Sequence, residues 1–204
     1  GESDPFGEVE EVLGEQDDPD VETRAVIVNY GLKETYDDDT IAEAAAVPDS
    51  VSGDMMAGRT DHRSIPTFTV DGADAKDFDD AISLERLEGR KGGGRGMLRV
   101  GVHIADVSYY VAEGTSLDAE ARERATSCYL PGRTLPMLPE QLSNGICSLV
   151  EGQPRLALSV FADVTRDGEV KAVKFKETVV ESDARLTYEQ VQAFADGGRL
   201  PHGK

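Results

Sequence analysis

Two β-prone runs in the second half of the chain, residues 156–164 and 170–180, alternate apolar and polar side chains in part, which predicts two strands, and Asp167-Gly168 between them predicts a two-residue hairpin turn. Residues 67–70, 81–87 and 97–104 are also β-prone, and the glycine-rich run 89–96 joins the last two as a flexible hairpin loop. Residues 107–111 read as a continuation of that strand beyond a kink at Ala105-Asp106. Helical signals are shorter. Residues 38–40 can cap a helix over 41–46, which Pro48 stops. Ser116 is a suitable cap for a helix over 117–125, with Asp118 and Glu120 in its first turn. Thr187-Tyr188-Glu189-Gln190 has the spacing of a capping box and opens a helix that Gly197-Gly198 ends. Residues 21–30 fit a short helix or a strand, and periodicity does not separate the two at this length. Residues 17–20 read as a turn, 49–65 as a connector, and 129–144 as a proline-punctuated loop with one helical turn at 139–142. The expected class is α+β, a mixed, mostly antiparallel sheet with short helices.

Composition narrows this picture. With 204 residues, 39% apolar and 30% charged, the chain is globular and long enough for one domain and a piece of another. No apolar run reaches membrane-spanning length and no secretory signal opens the chain, so no membrane partner is expected. Cys128 and Cys147 form no CxxC pair and read as reduced thiols of a cytoplasmic protein, without a disulfide or a zinc site. The net charge of −19 is the wrong sign for gripping nucleic acid through a general field. Residues 1–50 hold 16 acids and two bases, whereas residues 51–204 hold 24 acids and 19 bases. The acidity is therefore chiefly a property of a solvated N-terminal segment.

The densest chemistry follows residues 67–70. Asp71, Asp74, Asp77, Asp79 and Asp80 place five carboxylates within ten positions. Crowded like charges are unfavourable unless a cation sits between them, and carboxylate oxygen suits Mg²⁺ or Mn²⁺. Residues two apart share a face of an extended segment, so Asp77 and Asp79 can point together. The competing reading is a solvated acidic turn, against which Ala75, Phe78 and Ala81 would tether the loop to a core. An EF-hand is excluded by the missing glycine and the missing twelfth-position glutamate. A DxD phosphotransferase loop lacks its usual Gly-Thr here. His103 reads as a structural hydrogen-bonding residue, with His62 and His202 distant in sequence. Asp106 either caps a turn or lines the pocket. Taken alone, Tyr129 reads as a core tyrosine, and Arg133 as a phosphate contact or a surface residue.

Four segments, "DGADAKDFDDAISLE", "VGVHIADVSYYV", "TSCYLPGRTLPMLPEQLSNGICSL" and "ARLTYEQV", occur in the order found in the ribonuclease II and ribonuclease R family of exoribonucleases, which the chain resembles over about residues 60–195. The segment "GEVEEVLGEQDDPDVETRAVIVNYGL" resembles the end of the preceding cold-shock (OB-type) domain and its acidic linker. The resemblance implies 3′-to-5′ hydrolysis of single-stranded RNA to nucleoside 5′-monophosphates with Mg²⁺, and DNA is not expected as a substrate. It assigns the four essential aspartates to Asp71, Asp77, Asp79 and Asp80, and the aromatic clamp on the terminal nucleotides to Tyr129. It divides the chain into a cold-shock tail (1–20), a linker with a short helix (21–60) and the N-terminal portion of an RNB catalytic domain (61–204). The later elements of that domain, the S1 domain and most of the cold-shock region are not recognisable, so the chain is expected to be a fragment that binds metal yet cleaves poorly or not at all on its own.

Overall fold

The computed structural model describes residues 7–15, 18–87 and 96–200. The glycine-rich run at 89–95, Asp17 and His202 lie outside the described residues. The chain opens with two short helices, α1 (Pro19–Asn29) and α2 (Asp38–Ala46), each entered through an aspartate that accepts a backbone N–H, Asp18 from Asp20 and Asp37 from Thr40. The ambiguous run at 21–30 is thus helical. It begins inside the stretch expected to be a turn, because Pro19 supplies the φ and the missing donor that suit a first helical turn.

A seven-stranded sheet follows. Its strands are β1 (Thr60–Asp61), β2 (Thr67–Asp71), β3 (Asp80–Leu87), β4 (Met97–Ala105), β7 (Pro154–Val164), β8 (Val170–Glu181) and β9 (Ala184–Thr187). They are ordered β1-β8-β7-β4-β3-β2-β9. The four central pairings are antiparallel, while β1 on β8 and β9 on β2 are parallel. The mixed, mostly antiparallel α+β architecture is the one the alternation implied. Between β4 and β7 lie α3 (Val107–Tyr110), α4 (Ser116–Arg124), a two-stranded ribbon of β5 (Cys128–Leu130) with β6 (Arg133–Leu135), and a π-helical turn at Leu142–Ile146. Helix α5 (Tyr188–Ala195) follows β9 directly, with both bonds of its capping box formed at Thr187 and Gln190.

Several local expectations are corrected. Residues 107–110 turn into a helix instead of extending β4: the Asp106 N–H still bonds the Leu156 carbonyl in register with the ladder, and the chain then turns as Tyr109 N–H bonds the Asp106 carbonyl and Val111 N–H that of Val107. The cap of α4 is Thr115, one residue before Ser116, and its hydroxyl accepts the Asp118 N–H at 3.3 Å. The β7–β8 hairpin closes at Thr165 and Glu169, leaving three residues in the turn with Gly168 at φ +85°, not two. A three-residue loop of this kind needs a left-handed residue at its end, which glycine accepts. The segment at 129–144 is not a simple loop but carries the β5–β6 ribbon.

Two apolar clusters hold these parts together. One joins Ala44 of α2, Leu117 and Ala121 of α4, and Leu138, Leu142, Ile146 and Cys147. The other joins Phe78 to Ala81, Ala105, Leu149, Ala157 and Val180 at one end of the sheet. The opposite sheet face leaves Leu84, Val102, Ile104, Leu158 and Phe175 exposed. No helix among the described residues is long and apolar enough to cross a membrane.

Candidate active site

Asp71 ends β2 and Asp80 begins β3, so the acidic loop is strung between two strands of the sheet. Its backbone is fixed from three sides. Phe78 is 6% exposed, and burial of such a ring is worth several kcal/mol, about 3–5 on truncation to alanine. The Phe78 N–H donates to Ser148 Oγ at 2.9 Å, its carbonyl accepts from Leu149 N–H at 2.8 Å, and Ser148 Oγ donates onward to the Lys76 carbonyl at 2.9 Å. The Asp79 carbonyl accepts from Ala105 N–H at 2.9 Å. On the far side, the Arg185 guanidinium on β9 donates to the carbonyls of Gly72, Ala73 and Ala75 and lies 5.2 Å over the Phe78 ring. Arg155, 3% exposed, braces Ser148 from behind by donating to its carbonyl at 2.8 Å.

The side chains of this loop face a cavity of about 820 Å³. Asp71, Asp77 and Asp79 line it together with Tyr129, and so do Asp74, Lys76, Asn144 and Tyr188. Asp80 is not among its walls, although it bears electrostatically on both Asp71 and Asp79. Burial holds the Asp71 carboxyl above the ordinary carboxylate range, and repulsion from Asp80 adds to this, against a smaller opposing pull from Thr69 and Arg185. Asp79 is raised in the same way, by its crowded setting first and then by Asp77, Asp80 and Asp71, while its side chain still opens to solvent. Asp71 Oδ2 is buried without a hydrogen-bond partner. Among the described residues, no three histidine, cysteine or acidic side chains stand as a ready-made ligand cage.

An orphaned carboxylate oxygen and two carboxyls raised first by loss of solvent and then by the charge of neighbouring aspartates describe a site short of positive charge, and in that sense the residues fit a divalent cation. Mg²⁺ commonly keeps several waters or substrate oxygens beside one or two carboxylates, so a closed protein cage is not required.

Tyr129 is brought to this cavity by the β5–β6 ribbon. Its ring is 67% exposed and its hydroxyl donates to Asp77 Oδ2 at 2.5 Å. That bond is the first cause, and burial the second, of a hydroxyl pushed up to about 12. The expectation of a core tyrosine, drawn from the residue alone, is therefore replaced by an exposed ring anchored at its tip. His103 is wholly buried, with Nδ1 2.7 Å from Ser159 Oγ and Nε2 2.9 Å from Ser83 Oγ, as a structural role requires. His62, remote in sequence, is its neighbour in space at a ring separation of 5.1 Å. Asp106 pairs with Arg59 at 2.6 Å, both side chains nearly buried, and does not line the cavity. Arg133 lines the cavity but pairs with Glu34 at 2.6 Å. Sequence reasoning passed over Arg185, Ser148 and Tyr188. The contacts of Arg185 and Ser148 to the loop run across scores of residues and leave no local periodic signal, and Tyr188 meets the loop only as a wall of the same cavity.

Comparison with known proteins places this arrangement. The RNB domain family matches residues 59–202 and the cold shock domain family matches residues 1–37. Ribonuclease R of Thermotoga maritima is 46% identical over 194 residues, covering 94% of this chain and 26% of that protein. Ribonuclease R of Escherichia coli is 40% identical over 191 residues, covering 94% and 23%. The chain thus spans about a quarter of the length of these relatives. Among solved structures, Mycoplasma genitalium RNase R in complex with ribose-methylated single-stranded RNA superposes with a TM-score of 0.82 at 30% identity, over 95% of this chain and 29% of that one. The yeast pseudonuclease Ssd1 shares the fold at a TM-score of 0.74 and 20% identity, over 93% and 24%. By sequence and by fold alike, the chain belongs to the RNB-domain family, to which ribonuclease R belongs.

Proposed function

We propose that this chain carries the acidic half of the active site of a 3′-to-5′ exoribonuclease that hydrolyses single-stranded RNA to nucleoside 5′-monophosphates. The observation that carries the reading is the pairing of an exposed stacking ring with a crowded carboxylate site: Tyr129 reaches Asp77 across the cavity that Asp71 and Asp79 also line. Kinship with ribonuclease R supports it. In this reading Asp71, Asp77, Asp79 and Asp80 hold Mg²⁺, with Mn²⁺ as the alternative. When bound, a pair of such ions supplies a water acidic enough to attack at neutral pH and a charge to stabilise the leaving oxygen.

The chain's own residues do the remainder. The Arg185 and Ser148 contacts hold the loop backbone in place against the mutual repulsion of its carboxylates. The Tyr129 face stacks on a base near the 3′ end, an interaction worth about 1–3 kcal/mol per base. Only a single strand offers an unpaired base face to that ring. The partners are single-stranded RNA and, in a complete enzyme, the rest of the RNB domain with its S1 and cold-shock domains. The division adopted is a cold-shock tail at 1–20, a linker at 21–60 and the catalytic portion at 61–204. Two free thiols, Cys128 and Cys147, favour a cytoplasmic setting.

The test uses 5′-labelled single-stranded RNA with Mg²⁺, beside single-stranded DNA and a phosphate monoester. Shortening of the RNA alone, lost in Asp79→Asn, supports the proposal. RNA binding without shortening in a full-length enzyme carrying this segment would assign a non-catalytic RNA-binding role instead, and turnover of the monoester a different phosphate-ester hydrolase.

A further inference from the structure

The β5–β6 ribbon that carries Tyr129 forms a two-stranded sheet of its own, and its base is tied to the chain's N-terminal part by several bonds centred on one guanidinium. Arg124, the last residue of α4, has a side chain only 6% exposed. It donates to Glu120 Oε1 at 2.9 Å within its own helix, to the carbonyls of Lys33 and Thr35 at 2.9 and 2.6 Å, and to the Pro136 carbonyl at 3.3 Å. Its plane lies 4.0 Å over the ring of Tyr36, whose hydroxyl donates to the same Pro136 carbonyl at 2.5 Å. Residues 33–36 fall within the stretch that matches the cold shock domain, and Pro136 directly follows β6. A second tie runs in parallel, from Arg133 in the ribbon to Glu34 in the strap at 2.6 Å.

The backbone at this point is constrained as well. Ala125, next to Arg124, is the one non-glycine residue among those described with a positive φ, 61°. An L-residue in that region is strained, and such a conformation persists where surrounding contacts over-determine it. It turns the chain out of α4 and into the ribbon, so the direction of the ribbon is set where Arg124 makes its contacts.

We infer that Arg124 is a positioning residue: it joins the strap at residues 33–36 to the base of the β5–β6 ribbon and thereby holds the Tyr129 ring at the Asp77 side of the cavity. The functional meaning rests on Tyr129 being an RNA contact; the mechanical joint does not. A guanidinium suits this task because its fork serves several carbonyls at once while its face stacks on an aromatic ring, which an ammonium cannot reproduce. The consequence is that a displacement of the strap at residues 33–36 reaches the stacking ring without passing through the sheet.

The experiment measures hydrogen exchange by mass spectrometry on the 204-residue chain and its Arg124→Gln, Arg124→Lys and Tyr36→Phe variants, together with quenching of 2-aminopurine at the 3′ end of an RNA oligomer. The expected result is exchange at residues 128–136 about tenfold faster in Arg124→Gln, with smaller rises in Arg124→Lys and Tyr36→Phe and unchanged protection in β7 and β8. Quenching weakens in the same order. Tyr36→Phe removes a single hydroxyl, so it decides the matter if Arg124→Gln does not fold. Wild-type exchange at 128–136 in Tyr36→Phe and Arg124→Lys, with loosening confined to residues 33–36 and α4, overturns the joint. Faster exchange at 128–136 with no quenching in any protein, wild type included, upholds the joint and removes the RNA reading of Tyr129 instead.

Discussion

Acidification tests the structural role given to His103, and the size of the effect follows from its surroundings. The ring is fully buried between two hydroxyls, and the charge it would acquire meets His62 and no carboxylate. Burial first, and His62 second, push it down to about 4 from an ordinary 6.5. A base whose folded pKa is depressed binds protons more readily when unfolded, so stability is lost as pH falls from about 6.5 to about 4. At about 1.4 kcal/mol per unit, the full loss is about 3 kcal/mol, and about 2 kcal/mol of it falls between pH 7 and about 4.5. Asp71 and Asp79 are raised and act with the opposite sign over part of this window, which would mask the effect in the wild type alone. The assay is therefore a difference: urea unfolding of wild type and His103→Gln by circular dichroism at a series of pH values. Glutamine keeps donors and acceptors near Ser83 and Ser159 but cannot titrate. The two stability curves should converge by about 2 kcal/mol on going from pH 7 to about 4.5. Parallel curves would refute the account of His103 as a neutral residue held by burial.

Other perturbations address the frame and the site. A Cβ on Gly101 would stand 2.3 Å from Ser83 Oγ and 2.8 Å from His103 Nε2, so Gly101→Ala should lower unfolding stability by about 1–3 kcal/mol. Calorimetry or urea unfolding checks this. Tyr129→Phe keeps the stacking face and loses only the bond to Asp77, so RNA affinity should fall no more than about tenfold, whereas Tyr129→Ala should weaken it by about 5- to 150-fold in a fluorescence titration. Adding Mg²⁺ or Mn²⁺ should raise the melting temperature through the stabilisation expected when a ligand binds only the native state, about 2.7 kcal/mol at a hundred times its dissociation constant. Chelation should reverse the shift and Asp79→Asn should blunt it. An equal shift in that variant would place the ion elsewhere.

The long strands and the capped helices were legible because each repeats a local signal many times or concentrates it in one box. Residues 156–164 form a nine-residue β-prone run with polar residues only at Ser159 and Asp163, and Thr187 with Gln190 forms the box it spells. What escaped was short and held by distant partners. The four residues of α3 are a single turn on the Asp106 and Val107 carbonyls, too short for a periodic signal, and the three-residue strands of the ribbon depend on Arg124, Tyr36 and Asp77. The carboxylate loop stood out by composition, but the residues that hold it, Arg185 and Ser148, sit some 70 to 115 positions away, inside segments that carry the family resemblance yet with nothing local to tie either side chain to the loop. Tyr129 was singled out only by family resemblance, since nothing local says that its hydroxyl meets a residue 52 positions earlier.

How the aspartates are used bears on whether the acidic loop is a site or a solvated turn. Elsewhere in this chain an exposed aspartate commonly serves its own backbone: Asp18 accepts from Asp20 N–H, Asp37 from Thr40 N–H, and Asp61 from Arg63 N–H. That is the ordinary economy of acidic turns, in which the side chain replaces a missing backbone partner. The loop between β2 and β3 inverts it. Apart from the bond of Ala75 N–H to the Gly72 carbonyl, its backbone is held by Ser148, Leu149, Ala105 and Arg185, all from other elements. Its carboxylates are left over: Asp71 keeps a buried oxygen without a partner, and Asp77 accepts from the tip of a tyrosine brought from another ribbon. A fold gains nothing in stability by satisfying the backbone of such a loop from outside while crowding its unspent negative charges around one cavity. The arrangement makes physical sense when something positive completes the site, which is what phosphodiester chemistry at Asp71, Asp77, Asp79 and Asp80 would require.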